Sequence, residues 1–219
     1  NIDSGTFVFD ALGERWACDL GMGNYNAAGY FGDKRYDYYR CSPQGQNVIA
    51  LNPVTTRGQN LSAVTTTERF ETEENGGLAV VDMTEAYQDK VTSAKRGMKI
   101  DHNRTQMLLK DELNISEESD LYWFMHTKAD ITIMENGKTA VLSKNGKNVY
   151  VLLESNQNAQ FYTSEAKPVT GSLDLGQEDN SAYRKLNIFI PKANGNVQIA
   201  VRFVPIYSNF VLGELNNYR

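Results

Sequence analysis

Residues 121–155 read LYWFMHTKADITIMENGKTAVLSKNGKNVYVLLES. Leu121 to His126 is a dense apolar and aromatic run. Behind it, Ile131 to Met134, Thr139 to Leu142 and Val149 to Leu153 are separated by Asn136-Gly137 and Asn145-Gly146. An Asn-Gly pair between two strand-like runs marks a tight hairpin, because a type I′ turn needs positive φ at both central residues. Two such turns in succession predict a three-strand antiparallel meander following the 121–126 strand.

The same grammar extends outward. Thr6 to Ala11 and Arg15 to Leu20 flank Leu12-Gly13-Glu14, a second hairpin. Lys185 to Ile190 and Val197 to Val204 flank Asn194-Gly195, a third. Asn47 to Leu51, Leu78 to Asp82, Val91 to Ile100, Thr105 to Leu113 and Phe161 to Thr163 add strands. Thr65 to Asn75 and Gly171 to Ser181 are polar and read as loops. Thr84 to Tyr87 offers one helical turn, but no stretch keeps a 3.6-residue apolar period for three turns. The 12 Tyr, 9 Phe and recurrent Val, Ile and Thr suit pleated, half-buried surfaces. The expected fold is all-β: one domain over residues 1–219, a large two-sheet antiparallel β-sandwich of about 12–16 strands, six to eight per sheet, with little or no helix.

Charge narrows the function classes. The chain has 22 Lys+Arg against 27 Asp+Glu, a net charge of -5, which argues against a nucleic-acid partner. An acidic polysaccharide would need a local basic patch. No run approaches the roughly 18 apolar residues of a membrane span. Cys18 and Cys41 are the only cysteines, so a single bridge and two buried thiols both remain open. The sequence has no G-x-S-x-G elbow, P-loop or H-E-x-x-H. Gly21-Met22-Gly23 is too short for a dinucleotide fingerprint. Of the two histidines, His126 sits in an apolar strand and reads as a hydrogen-bonded core residue; His102, in Asp101-His102-Asn103-Arg104, reads as an exposed turn residue.

The richest stretch is Gly29-Tyr30-Phe31-Gly32-Asp33-Lys34-Arg35-Tyr36-Asp37-Tyr38-Tyr39-Arg40. Tyrosines interleave with cations here. Aromatic faces stack on sugar rings and guanidinium groups grip carboxylate or sulfate in bidentate fashion, so Arg35, Tyr39 and Arg40 are candidate contacts for an anionic polysaccharide or oligosaccharide. The same spacing also suits a plain sheet with tyrosines on one face and charges on the other.

These residues carry a family resemblance. G-T-F-V-F-D-A-L-G-E-R-W-A-C-D-L-G (5–21) and Y-N-x-x-G-Y-F-G-D-K-R-Y-x-Y-Y-R (25–40) resemble the β-sandwich part of heparinase II/III-like polysaccharide lyases, including oligoalginate lyases. Q-G-Q-N-V-I-A-L-N-P (44–53) is similar to the family's G-H-N-T-L-x-x-N segment. R-G-M-K-I-D-x-x-R (96–104), K-D-E-L (110–113) and W-F-M-H-T-K-A-D-I (123–131) follow in the family's order.

The resemblance implies an exported bacterial protein, periplasmic or extracellular, that cleaves uronic-acid-containing glycans by β-elimination. It implies that an N-terminal α/α-toroid carrying most of the catalytic groups precedes this sandwich, and that the chain is a C-terminal fragment, inactive by itself. A start at Asn1 suits an excised fragment or a mature N-terminus. The family places a sandwich tyrosine at the cleft, for which Tyr30 and Tyr36 are the candidates. It also places a structural zinc on two histidines and an aspartate. Asp19 matches the aspartate, but Asn1 and Gln46 stand at the histidine positions. Zinc prefers imidazole, thiolate and carboxylate, so the site is expected to be absent or weak. Asp19 then reads as a buried, hydrogen-bonded carboxylate. The other reading is a non-catalytic carbohydrate-binding or structural sandwich from a degenerate family member.

Overall fold

A computed structural model describes residues 1–87, 89–176 and 178–206. Its strands are β1 (Phe9–Ala11), β2 (Glu14–Ala17), β3 (Ile49–Leu51), β4 (Thr66–Glu73), β5 (Gly76–Asp82), β6 (Val91–Asp101), β7 (Gln106–Thr127), β8 (Asp130–Ile133), β9 (Thr139–Lys144), β10 (Lys147–Ser155), β11 (Phe161–Glu165) and β12 (Arg184–Pro205). Among the described residues the only helical elements are short 3₁₀ turns, at Arg35–Asp37, Tyr39–Cys41, Pro43–Gly45 and Thr84–Tyr87. The fold is the all-β, antiparallel sandwich that the hairpin signals predict.

Hydrogen bonding divides the strands unevenly. β1 and β2 form a hairpin. The remaining ten share one antiparallel ladder in the order β4-β5-β6-β7-β12-β10-β9-β8, with β3 on β7 and β11 on β12. The ladder is continuous because β7 and β12 are 22 residues each and run through both halves of the molecule. In one half, Met107 to Ile115 pairs with β6 and with Gly195 to Phe203 of β12. In the other, Leu121 to Thr127 pairs with Arg184 to Ile190.

Three expectations fail here. The stretch 184–205 is not a hairpin across Asn194-Gly195 but one strand, broken in register between Ile190, Ala193 and Gly195. Lys192 and Gly195 take positive φ and absorb the irregularity as a bulge, which bends a strand without reversing it. The Asp120 carboxylate accepts from the Lys192 N–H at 3.0 Å and holds the bend. Likewise 105–113 and 121–126 are the two ends of β7. Residues 66–73, expected to be a loop, form edge strand β4. Its Glu68, Arg69, Glu71 and Glu73 side chains blunt an otherwise sticky edge.

The main core gathers Phe7, Trp16, Ile49, Leu109, Leu113, Leu121, Trp123, Met125, Leu186, Ile188 and Phe203. The β1–β2 hairpin closes one side of it. Lys144 pairs with Glu14 at 2.9 Å, and Lys147 Nζ donates to the Leu12 carbonyl at 2.7 Å. Within the core, Arg96 donates in bidentate fashion to Asp111 at 2.6 and 2.8 Å and also to the carbonyls of Gly5 and Asn47. Burial pulls the Arg96 pKa down, but the Asp111 charge and hydrogen bond more than reverse this, and the net shift is upward.

Candidate functional site

Side chains alternate across a strand. With Leu121, Trp123 and Met125 in the core, β7 therefore turns Tyr122, Phe124 and His126 to the other face. β12 does the same with Lys185, Asn187 and Phe189. A one-sided sheet would leave these in water. Instead Phe124, His126, Lys185 and Asn187 are all buried, because segments 38–46, 165–176 and 178–181 form a second cover. The cover is stitched together by side chains. Gln44 Oε1 accepts from the Val169 N–H at 2.6 Å, and its Nε2 donates to Ser172 Oγ at 3.0 Å. Arg40 donates to Asn180 Oδ1, the Asp179 carbonyl and the Met22 carbonyl.

Beneath the cover lies a polar layer. Asn47 donates to the carbonyls of Phe7 and Cys18, which fixes its amide orientation. Its Oδ1 therefore faces His126, 2.7 Å from the backbone N and 3.2 Å from Nδ1. Burial and then the nearby Lys185 push the His126 pKa well below its ordinary range, so the ring is neutral. Since Asn47 Oδ1 can only accept, Nδ1 carries the proton and Nε2 accepts from the Tyr39 hydroxyl at 2.7 Å. Burial, with a contribution from the Asp174 charge, raises the Tyr39 pKa. Lys185 Nζ lies 4.1 Å from the Phe124 ring centre and 5.2 Å from that of Tyr39, and donates to the Lys167 carbonyl at 3.0 Å.

Two cavities share the 165–168 wall. One, of about 400 Å³, is lined by Tyr38, Tyr39, Lys167, Asp174, Glu178 and Tyr183 among others. The second, of about 300 Å³, has Lys185 and Asn187 in its lining.

The tyrosine-rich strip is not a sheet but a series of turns. Tyr30 is buried with Tyr38 and Cys41. Its hydroxyl accepts from the Cys41 thiol at 3.4 Å, and burial, with this contact, pushes its pKa up to about 12. Tyr36 is half-buried, with the guanidinium groups of Arg35 and Arg57 at 5.9 and 6.0 Å from its ring centre. Arg35 also lies over Tyr30, and its buried Nε has no hydrogen-bond partner. Tyr39 turns its hydroxyl inward, and all three Arg40 nitrogens bond within the chain. The surface-facing members are Phe31, 74% exposed, and Tyr25, 52% exposed, with ring centres 5.5 Å apart. Cys18 and Cys41 are both free and buried. His126 is the hydrogen-bonded core residue its context predicts, and His102 is exposed beside Asp101.

The donors at the metal positions do not suit zinc. Asp19 is exposed rather than buried, and its Oδ1 accepts from the Gly21 N–H at 2.6 Å. Gln46 is buried, donates to the Arg40 carbonyl at 2.7 Å and leaves Oε1 unpartnered. Asn1 is exposed. One carboxylate and two neutral amides make a poor zinc donor set, and no cluster of three His, Cys, Asp or Glu ligands occurs among the described residues.

The sequence reading missed Lys185, Asn187 and Asn47. Period-2 alternation through Leu186, Ile188 and Ile190 does place Lys185 on the opposite face. Nothing local signals that this face is covered.

The family model described as "Heparinase II/III-like, C-terminal" matches residues 2–204, and the chain belongs to that family. The fold is shared with heparan sulfate lyase HepC from Pedobacter heparinus, with TM-score 0.75 and 13% identity over 96% of this chain and 31% of that one. It is also shared with a heparinase III, the BT4657 gene product, with TM-score 0.72 and 17% identity over 94% of this chain and 30% of that one. The chain thus spans under a third of the length of these structures. No curated protein matches it. No helix among the described residues is long and apolar enough to cross a membrane.

Proposed function

We propose that this chain is the C-terminal sandwich of a longer polysaccharide lyase that cleaves uronic-acid-containing glycans by β-elimination. The observation that carries the reading is the family match across residues 2–204 in a chain that spans under a third of its structural relatives. Elimination beside a uronate needs its carboxylate neutralised, a base for the C5 proton and an acid for the leaving oxygen. On this reading an α/α-toroid preceding the sandwich supplies most of these groups. The sandwich supports the toroid and lines part of the cleft, and the protein works in the periplasm or outside the cell, where such polymers are met.

Of the two tyrosine candidates, we favour Tyr36 for the cleft. Tyr30 is buried against Cys41, whereas Tyr36 is half-buried between two guanidinium groups. Phe31 and Tyr25 add an exposed aromatic surface on which a sugar ring can stack. Tyr39 and Arg40 act instead as fixtures of the cover.

The test uses the full-length protein on a cleaved glycan. Phe31→Ala should raise KM about threefold to tenfold with little change in kcat. Tyr36→Phe should lower kcat. If neither constant moves in either variant, the sandwich does not line the cleft.

A further inference from the structure

Lys185 and Asn187 stand two residues apart in β12, on one face of the sheet. Each is 1% exposed, and both line the cavity of about 300 Å³ whose walls include Tyr162, Ser164, Lys167 and Thr170. Among the described residues Lys185 has no carboxylate partner, and its one hydrogen bond goes to the Lys167 carbonyl. An ammonium has three donors, so two lack a hydrogen-bond partner and have only the Phe124 ring, 4.1 Å from Nζ, beside them. Asn187 uses its Nδ2 on the Tyr162 carbonyl, Ser164 Oγ and the Lys185 carbonyl. Its Oδ1 is buried and accepts nothing. Spare donors beside an unused acceptor, both out of water, are costly to a fold that gains nothing from them. They complement one kind of ligand: an anionic acceptor with a hydroxyl donor close by. The volume is at the small end of ligand pockets and suits one sugar-sized molecule.

We propose that this cavity binds a single hydroxylated carboxylate, a uronate sugar, with the carboxylate on Lys185 Nζ and a hydroxyl donating to Asn187 Oδ1. The choice of a uronate rests on the lyase reading; the hydroxy-carboxylate chemistry does not. The titratable groups around Lys185 are His126 and Tyr39 below, Glu165 and Lys167 in the wall, and Tyr162 on β11. Only Glu165 is anionic, and it is exposed and paired with Lys167 at 2.6 Å. Burial draws the Lys185 pKa down to about 7. A carboxylate arriving above that pH therefore meets a largely neutral amine, and its charge favours proton uptake from solvent.

The experiment is isothermal titration of the full-length protein with sodium D-glucuronate at about pH 8, in two buffers of different ionisation enthalpy. Wild type should bind saturably and take up close to one proton per ligand. Lys185→Met should bind about tenfold weaker or worse, without the uptake. Asn187→Leu should bind more weakly but keep the uptake, and it stands in if Lys185→Met does not fold. D-Glucose should not bind. The proposal falls if wild type ignores glucuronate, if Lys185→Met binds as tightly with the same uptake, or if glucose binds equally well. Lys185-dependent binding in a protein that cleaves no glycan would sink the lyase reading alone. Glycan cleavage with Lys185-independent glucuronate binding would sink this site alone.

Discussion

Replacing Lys185 by Met should stabilise the protein, and the gain should depend on pH. The lysine titrates near 7 in the fold against an ordinary 10.5. At about 1.4 kcal/mol per pH unit, the charged form carries a burial penalty of about 5 kcal/mol. Methionine fills nearly the same space without a charge. It forfeits the hydrogen bond to the Lys167 carbonyl, about 1–2 kcal/mol, and the cation–π contact with Phe124, about 1–2 kcal/mol. The net gain should be about 2 kcal/mol at or below neutral pH. Between pH 7 and 10.5 the unfolded lysine holds a proton that the folded one has released. Wild-type stability therefore rises with pH across that window as the penalty is relieved. The advantage of Lys185→Met should shrink by about 1.4 kcal/mol per pH unit over that range, vanish near about pH 8.5 and reverse above it. Urea unfolding of both proteins at several pH values gives the difference directly. A variant that is less stable than wild type at pH 6, with a pH-independent difference, would mean that the ammonium is solvated or paired.

Other substitutions probe the core and the cover. Asp111→Ala leaves Arg96 charged and unpaired in the core and should cost about 3–5 kcal/mol in urea unfolding; Arg96→Met combined with Asp111→Leu should recover most of that loss. In Gly45→Ala the new Cβ would lie 2.2 Å from the Tyr39 carbonyl oxygen, so the 39–45 turn must shift, at about 1–3 kcal/mol by thermal melting. Tyr39→Phe takes the only donor from buried His126 Nε2 and should cost about 1–3 kcal/mol; NMR of the imidazole nitrogens should show the Nε2 resonance moving while Nδ1 stays protonated.

The hairpins at Leu12-Gly13 and Asn145-Gly146 close on two positive-φ residues, the two-residue turn that the pattern predicts, whereas at Asn136-Gly137 only the glycine takes positive φ and a longer loop, Met134 to Lys138, still reverses the chain. Asn194-Gly195 carries the same signature without reversing the chain. Its strand partner is β7 on both sides of the bend, a long-range pairing that no local pattern encodes. β4 was hidden because an edge strand with both faces wet shows no apolar alternation. The candidate site divides along the same line. His126 declared itself a core residue by its apolar neighbours. Lys185 and Asn187 carry the composition of exposed strand positions, and only the cover from residues 38–46, 165–176 and 178–181 turns them into buried polar groups. Arg40 reads from sequence as a ligand contact, yet three of its five donors go to Met22, Asp179 and Asn180, residues as far as 140 positions away.

The central claim is that this sandwich is the supporting part of a uronate-cleaving lyase. The most direct measurement is the rise in ultraviolet absorbance from unsaturated uronate when heparan sulfate, hyaluronan or alginate is incubated with the full-length protein and, separately, with residues 1–219. A supporting role predicts a rise with the full-length protein on at least one glycan and none with residues 1–219. A clear rise with residues 1–219 alone, or none from the full-length protein on any uronate polymer, would contradict it.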